Sequence, residues 1–259
     1  MDHQSTLALF DRQMRQAAPP ETSSTTIEAD DRVVRHLGGD QGWNAVLWSG
    51  LDEESADEAI AAQIEFFGSR EFEWKLYGHD RPADLGDRLR TAGFVPEEQE
   101  TLMIAAIGDL DLEVTLPDGV RLEPVTDAAG VELLLRAHED AFGESADWLR
   151  PRVLAQLAES PENVRLVVAL AGDRPISGAR MDLNPGTAFA SLWGGGTAPG
   201  WRGRGVYRAL VAHRARIAAE LGYEYLQVDA SDQSRPILQR LGFAALTTTT
   251  PYQWRPLGR

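Results

Sequence analysis

Trp193-Gly194-Gly195-Gly196-Thr197-Ala198-Pro199-Gly200-Trp201-Arg202-Gly203-Arg204-Gly205-Val206-Tyr207-Arg208-Ala209-Leu210 runs from the end of a strand through a Gly- and Arg-rich turn into a helix. Before it, Phe189 to Trp193 is apolar and strand-like. After it, Val206, Leu210, His213, Ile217 and Leu221 recur at helical spacing and mark one buried face. Between strand and helix, Arg202-Gly203-Arg204-Gly205-Val206 has the make-up of a phosphate cradle. Two glycines let the backbone approach a ligand closely, the first amides of a helix lack internal partners, and the helix dipole favours an anion there. Arg202 and Arg204 add formal positive charge. The plain alternative is a surface turn kept soluble by its arginines.

Two other phosphate motifs do not fit. A Walker loop needs a Lys after its second glycine, and none follows here. A dinucleotide fingerprint needs a third glycine where Arg208 stands. Set after a strand and Pro199 and ahead of a long amphipathic helix, Arg-Gly-x-Gly-Val instead resembles the acetyl-CoA pyrophosphate loop of the GCN5-related N-acetyltransferases (GNAT). A second strand, Tyr225-Leu-Gln-Val-Asp-Ala-Ser231, and a short helix ending in Leu241-Gly242-Phe243 resemble that family's second signature. The resemblance runs from about Val120 to Trp254. It departs from the family at Tyr207, where Gly or Ala is usual, and at Ser231, where an Asn commonly opens the second signature. It departs again at Leu238, where a Tyr often protonates the departing thiolate.

The resemblance implies an α/β (α+β) fold, a mixed and mostly antiparallel sheet flanked by helices. It implies acetyl-CoA as cofactor and direct attack by a primary amine in a ternary complex, without a covalent enzyme intermediate. Its cofactor contacts fall on Gly196, Thr197, Ala198, Arg202, Gly203, Arg204, Gly205, Val206, Tyr207, Ser231 and Ser234. The glycines from Gly194 to Gly196 mark either close backbone approach or a bulge.

Composition narrows the classes. The 259 residues suffice for one large or two small domains. With no cysteine, disulfides, thiolate metal sites and a Cys nucleophile are excluded. The five histidines are scattered without metal spacing, so no metal is expected. A net charge of −15 argues against nucleic acid and makes Arg202, Arg204, Arg208, Arg214 and Arg216 a local exception. No apolar run approaches the ~20 residues of a membrane span, and the start carries Asp2 and Asp11. The expected protein is cytoplasmic and touches no membrane. Its partner is a small-molecule or peptide amine, and a homodimer is one of several open oligomeric states.

Along the chain, residues 1–30 read as a helix and a loose arm, 31–115 as a first lobe and 116–259 as the catalytic lobe. In the first lobe, Glu71 to His79 alternates: Phe72, Trp74 and Leu76 on one side, Glu73, Lys75, Tyr77 and His79 on the other, as in a half-buried strand. Strand, Arg-Pro, helix, Gly-Phe, strand describes both Glu71–Ile107 and Glu224–Tyr252, which is an internal repeat of half an acetyltransferase. The first copy has Ser49-Gly50-Leu51-Asp52-Glu53-Glu54-Ser55 in place of the phosphate turn, and carboxylates there repel a pyrophosphate. That lobe is expected to bind no CoA.

Acetyl transfer from a thioester needs a held cofactor, a polarised carbonyl, a base for the ammonium and an acid for the thiolate. Candidate bases are Glu139, Asp140, Glu144, Asp182 and Asp229, with Asp229 preferred because that strand's end faces the acetyl group in the family. Tyr207 and Tyr252 are the available acids, with Tyr207 read as packing beside the cofactor. His138 and His213 lie on helical patterns and read as ordinary packed or surface residues. Tyr77, His79 and Asp80 form a polar group that either reaches the cleft or is a solvated strand face. A non-catalytic acyl-CoA-binding or regulatory module and a nucleotide-binding module are the rival functions.

Overall fold

The computed structural model describes residues 1–38 and 42–256. The first part of the chain forms α1 (His3–Phe10), β1 (Thr26–Ala29), β2 (Val33–Leu37), β3 (Asn44–Ser49), α2 (Ala56–Phe67), β4 (Phe72–Tyr77), α3 (Leu85–Thr91), β5 (Val95–Pro96) and β6 (Glu100–Ala106). The second part forms β7 (Val120–Val125), α4 (Ala128–Phe142), α5 (Leu149–Glu159), β8 (Val164–Ala171), β9 (Arg174–Leu183) and β10 (Phe189–Thr197). It ends with α6 (Val206–Glu220), β11 (Tyr225–Ala230), α7 (Arg235–Arg240) and β12 (Ala244–Trp254).

Two compact units interleave along the chain. The first holds Met1–Met103, Asp229–Ile237 and the described residues from Ala244 on; the second holds Ile104–Val228 and Leu238–Phe243. The consecutive boundaries read from the sequence, 31–115 and 116–259, differ from these units at residues 104–115, which fall in the second unit, and at the C-terminal end. At that end β12 pairs antiparallel with β4, Tyr252 opposite Trp74, so the last strand of the second copy lies in the first unit.

In the first unit β1, β2 and β3 are antiparallel neighbours and β3 runs parallel to β4, with α2 as the crossover. The arm expected to be loose supplies β1, because Thr25-Thr26-Ile27 is β-branched and pairs along β2. The core packs Phe67 on Phe72, 4.1 Å between ring centroids, with Phe94 edge-on to Phe72 at 5.3 Å and Trp74, Leu85, Leu89 and Tyr252 around them. The polar side of β4 is not half-exposed as its alternation suggests. Glu73 and Tyr77 are buried and the Lys75 side chain is 14 % exposed. Period two assigns residues to faces but does not say what covers each face.

In the second unit β7, β8, β9 and β10 are antiparallel and β10 runs parallel to β11, with α6 as the crossover. Successive residues of β9 show how the sheet is sandwiched. A methyl group built on Gly178 would lie 2.7 Å from Leu134 of α4, while Ala179 packs with Leu210 of α6. Helix α4 is started by the Asp127 carboxylate, which accepts from the Gly130 amide at 2.8 Å, and it stops at Gly143, whose φ is +78°.

The internal repeat is visible in the backbone. Each copy runs strand, crossover helix, parallel strand, short helix, Gly-Phe. Gly93 and Gly242 have φ of +102° and +101°, a region an L side chain rarely enters. The amides of Phe94 and Phe243 then donate to Leu89 and Leu238, both at 3.0 Å.

Candidate functional site

Strands β10 and β11 pair only through Phe189–Tyr225, Ala190–Leu226 and Ser191–Gln227. Beyond Ser191 the β10 edge that faced β11 carries no strand among the described residues, while its other edge stays on β9 through Thr197. A register shift between Trp193 and Gly196, with Gly194 at φ +59°, is a β-bulge. The glycine triplet is therefore a bulge, and tight packing occupies two of its positions. A methyl group on Gly195 would lie 2.9 Å from the Tyr207 ring, and one on Gly196 2.7 Å from the Ala141 methyl and 2.6 Å from the Phe142 ring. Gly196→Ala is expected to destabilise the protein by about 1–3 kcal/mol through this overlap. Gly200→Ala, which meets nothing within 4 Å, is expected to be close to neutral, and equilibrium urea unfolding of the two variants checks both outcomes.

Around the bulge the predicted residues hold the backbone in place. Ser177 Oγ donates to the Gly196 carbonyl and lies 2.9 Å from Thr197 Oγ1. The Ala198 amide donates to Ile176 at 2.8 Å. Arg202 donates from Nε to the Thr197 carbonyl at 3.1 Å and from Nη2 to the Ala141 carbonyl at 2.7 Å, tying the turn to the end of α4. Arg204 is exposed and its guanidinium lies 4.8 Å from the centre of the Trp201 ring.

The turn keeps its cradle open. Gly203 and Gly205 have φ of +73° and +86°, and α6 starts from Gly205 without any side-chain cap. The first helical bond is donated by Ala209 to the Gly205 carbonyl at 2.9 Å. The amides of Val206, Tyr207 and Arg208 therefore have no acceptor inside the helix. Methyl groups on Gly200 and Gly203 would meet nothing within 4 Å, and one on Gly205 only the far end of Arg208 at 3.9 Å. The first copy is built the other way. Asp52 Oδ1 accepts from the amides of Glu54 and Ser55, at 3.2 and 2.9 Å, and from the Ser55 hydroxyl. These hydrogen bonds, the Ser55 hydroxyl foremost, hold the Asp52 carboxyl below its ordinary range. A resident carboxylate thus sits at the approach to α2.

Helix α6 also carries Arg214, which is fully buried. It donates to the carbonyls of Leu210 (3.1 Å) and Arg180 (2.9 Å), and no carboxylate pairs with it among the described residues. Burial pulls its guanidinium down to about 10, and burial raises the neighbouring Tyr207 phenol. Tyr207 thus packs under the bulge. On the opposite, α4–α5 side of the sheet, Gln156, Arg180 and Asp182 form a network. Gln156 donates to Asp182 and accepts from Arg180, both at 3.3 Å, and Arg180 lies 5.4 Å from the centre of the Trp193 ring. Gln227, paired with Ser191 on this sheet, is buried and its Oε1 has no hydrogen-bond partner. Two of the remaining candidate bases are held nearby: Glu139 accepts from the Ala146 amide (3.3 Å), and Asp140 pairs with Arg174 (3.0 Å). His138 packs against Phe142 and Trp148, and burial lowers its titration and that of His213.

The first unit holds the rest. Asp229 is 3 % exposed and Lys75 Nζ donates to its Oδ2 at 2.5 Å. Ser231 and Ser234 close the turn into α7, their hydroxyls 3.3 Å apart. Tyr252 lies in the apolar core, with its hydroxyl against Gly86 and Arg90 5.5 Å from its ring centre, which leaves little room for proton transfer to a ligand. The Asp80 side chain is buried and that of His79 is partly exposed, and both are tied to the N-terminal segment. Arg15 bridges Asp11 and Asp80 at 2.8 Å, lies 4.1 Å from the centre of the Tyr77 ring, and His79 meets Asp11 at 2.8 Å. This network pins the N-terminal helix. Among the described residues no group of three or more His, Asp or Glu is placed to hold a metal ion.

The sequence model of the "Acetyltransferase (GNAT) family" matches residues 129–243. Residues 129–243 belong to the GNAT family. The GNAT segment begins in α4 and ends at Phe243, so it holds the open turn, the β10–β11 divergence and the second Gly-Phe stop. Likeness of fold reaches further. A GCN5-related N-acetyltransferase from Kribbella flavida is 19 % identical, with a TM-score of 0.63, over 99 % of this chain and 95 % of that one. A functionally unknown conserved protein from Staphylococcus epidermidis ATCC 12228 is 14 % identical, with a TM-score of 0.68, over 91 % and 96 %. A tandem GNAT protein from the clavulanic acid biosynthesis pathway is 12 % identical, with a TM-score of 0.60, over 98 % and 95 %. No curated protein matches the sequence. Among the described residues no helix is long and apolar enough to cross a membrane.

Within the GNAT segment Leu238 is fully buried, so no hydroxyl acid stands where the family often has Tyr. Sequence reading passed over Arg180, Gln156 and Gln227, which sit in strands and helices whose apolar periodicity drew the attention. Glu73 and Lys75 were placed on the polar side of a half-buried strand, and alternation alone does not show that this side is covered.

Proposed function

We propose that this protein transfers an acetyl group from acetyl-CoA to a primary amine, and that the Arg202–Tyr207 turn holds the CoA pyrophosphate. The supporting observation is the contrast between the two copies: free amides and empty space at the start of α6, a resident carboxylate at the approach to α2. The residues present fit the group. Val206, Tyr207 and Arg208 offer amides, Arg204 offers charge, and Gly203 and Gly205 leave the backbone bare on the open side. The β10 edge beyond Ser191 offers backbone groups to an extended arm, with Gly196, Thr197 and Ala198 at its end. Bound acetyl-CoA supplies an activated acyl thioester. The first unit, with Asp52 in place, binds none.

A non-catalytic acyl-CoA-binding role is the second reading, favoured by Leu238 alone. Calorimetric titration of the full chain with acetyl-CoA, and with ATP as a control, tests the cofactor assignment. Saturable binding of acetyl-CoA that ATP does not reproduce is expected. Tighter binding of ATP would move the turn to the nucleotide class, and no binding to folded protein would sink both acyl-CoA readings.

A further inference from the structure

The second unit buries a cation with no anion beside it. Arg214, on α6, is 1 % exposed, and no carboxylate pairs with it among the described residues. Its Nε and Nη1 donate to the carbonyls of Leu210 and Arg180, while its Nη2 donates to nothing among the described residues. That Nη2 lies at the β10 bulge, 3.5 Å from where a methyl group on Gly195 would sit, and the edge of the Tyr207 ring lies 2.9 Å from the same point. Tyr207 is half-buried, and its hydroxyl makes no hydrogen bond among the described residues. Gly195, Tyr207 and Arg214 all belong to the second unit.

A guanidinium taken out of water without an anion is costly, and so is a donor left without an acceptor. Here a cation and a phenol each keep an unused donor beside the same residue of β10, and the group that suits both carries negative charge. The pyrophosphate is not that group. Arg214 stands roughly two turns into α6, about 12 Å along the axis from its first amides. As the crossover between the parallel strands β10 and β11, α6 runs back beside β10 from the turn toward the Ser191 end. An arm laid along the β10 edge from the turn therefore comes to Gly195, with Tyr207 and Arg214 under it. We propose that Tyr207 is the general acid that protonates the departing CoA sulfur and that Arg214 is the fixed charge acting through it; the proposal rests on the acetyl-transfer reading.

As the new N–C bond replaces the C–S bond, the C–S electron pair goes to sulfur and takes the Tyr207 proton, forming S–H. The O–H pair stays on the phenolate oxygen, whose charge Arg214 offsets. Water then returns a proton to Tyr207, and the proton lost by the amine goes to solvent. Both side chains start in the protonation state this needs. Burial, the larger influence, raises the Tyr207 phenol while Arg214 draws it down, so the hydroxyl holds its proton at neutral pH. Burial lowers Arg214 to about 10, which leaves it charged there.

The test uses the full chain and CoA itself. The chain has no cysteine, so thiolate ultraviolet absorbance in the mixture belongs to CoA alone. Bound to the wild type, the CoA thiol is expected to titrate about one pH unit or more below free CoA, because a positive charge and a hydroxyl donor both favour the thiolate. Tyr207→Phe keeps the ring against Gly195 and removes only the hydroxyl. It should lose much of that lowering while its calorimetric affinity for CoA at pH 6 stays unchanged. Arg214→Gln should lose the lowering too, and Arg214→Lys, which restores the charge, should regain part of it. With acetyl-CoA and butylamine, Tyr207→Phe should fall about a hundredfold in kcat. A bound thiol that titrates at the same pH in wild type and Tyr207→Phe overturns the proposal and leaves the cofactor assignment standing, as does wild-type turnover by Tyr207→Phe. If the wild type does not use butylamine, the thiol titration alone decides. Folded wild type that binds no CoA overturns the acetyl-transfer reading, and this proposal with it.

Discussion

Gly205→Glu is expected to abolish acetyl-CoA binding, raising Kd by about a hundredfold or more, which is about 3 kcal/mol. Three effects act together. Gly205 has φ +86°, where an L residue is strained by about 1–2 kcal/mol. A side chain there enters the space left open above the turn. Its carboxylate, beside the unpartnered amides of α6, would compete for them as Asp52 does for the amides of Glu54 and Ser55 in the first copy, and would repel a pyrophosphate. Gly205→Ala carries the strain without the charge, so it should lower stability yet lose far less affinity. Calorimetry on both variants separates the two. Binding by Gly205→Glu equal to wild type would remove the turn from the cofactor site.

The largest expected effect on stability is at Lys75. Its ammonium is held charged, its pKa above the ordinary lysine range: burial is the largest single influence and opposes the charge, but Asp229, Tyr77 and Glu73 together outweigh it. Lys75→Met leaves Asp229, 3 % exposed, and the buried Glu73 without their counter-charge. Breaking a buried pair from one side destabilises by about 3–5 kcal/mol. Lys75→Met combined with Asp229→Asn should recover much of that, because the orphaned charge goes with its partner. Equilibrium urea unfolding measures both, and a single-variant loss below about 1 kcal/mol would show the pair to be hydrated rather than buried.

Glu100 adds a pH dependence of definite sign. Its folded pKa, about 7, lies above that of an ordinary Glu, so between the two the folded chain keeps a proton the unfolded chain has lost. Its contribution to stability is therefore greatest at acid pH and falls as pH rises from about 4.5 to about 7, by at most about 3 kcal/mol. Glu100→Gln should flatten that slope in unfolding titrations run across the window.

The second copy was legible because its constraints are local. Positive φ at Gly203, Gly205 and Gly242 requires glycine, and α6 shows its buried face through Val206 and Leu210. The repeat was legible for the same reason, since Gly93-Phe94 and Gly242-Phe243 end their helices with one shared hydrogen-bond pattern. What escaped depends on partners far along the chain. The Thr25-Thr26-Ile27 segment looked like an arm until β2 lay beside it. Lys75 and Asp229 are 154 residues apart in the chain, and no local pattern joins them. Tyr252 looked available as an acid because its alternation does not reveal that its face is the core of the first unit. The placement of β12 beside β4 is likewise a long-range pairing, and it separates the contact units from consecutive lobes.

The most direct test of acetyl transfer is release of free CoA thiol from acetyl-CoA by the full chain, followed with and without a panel of cationic amines. Steady thiol release that requires an amine and saturates with its concentration, matched by recovery of the acetylated amine, is the predicted result. Saturable acetyl-CoA binding with no amine-dependent turnover across the panel would contradict it and leave an acyl-CoA-binding protein.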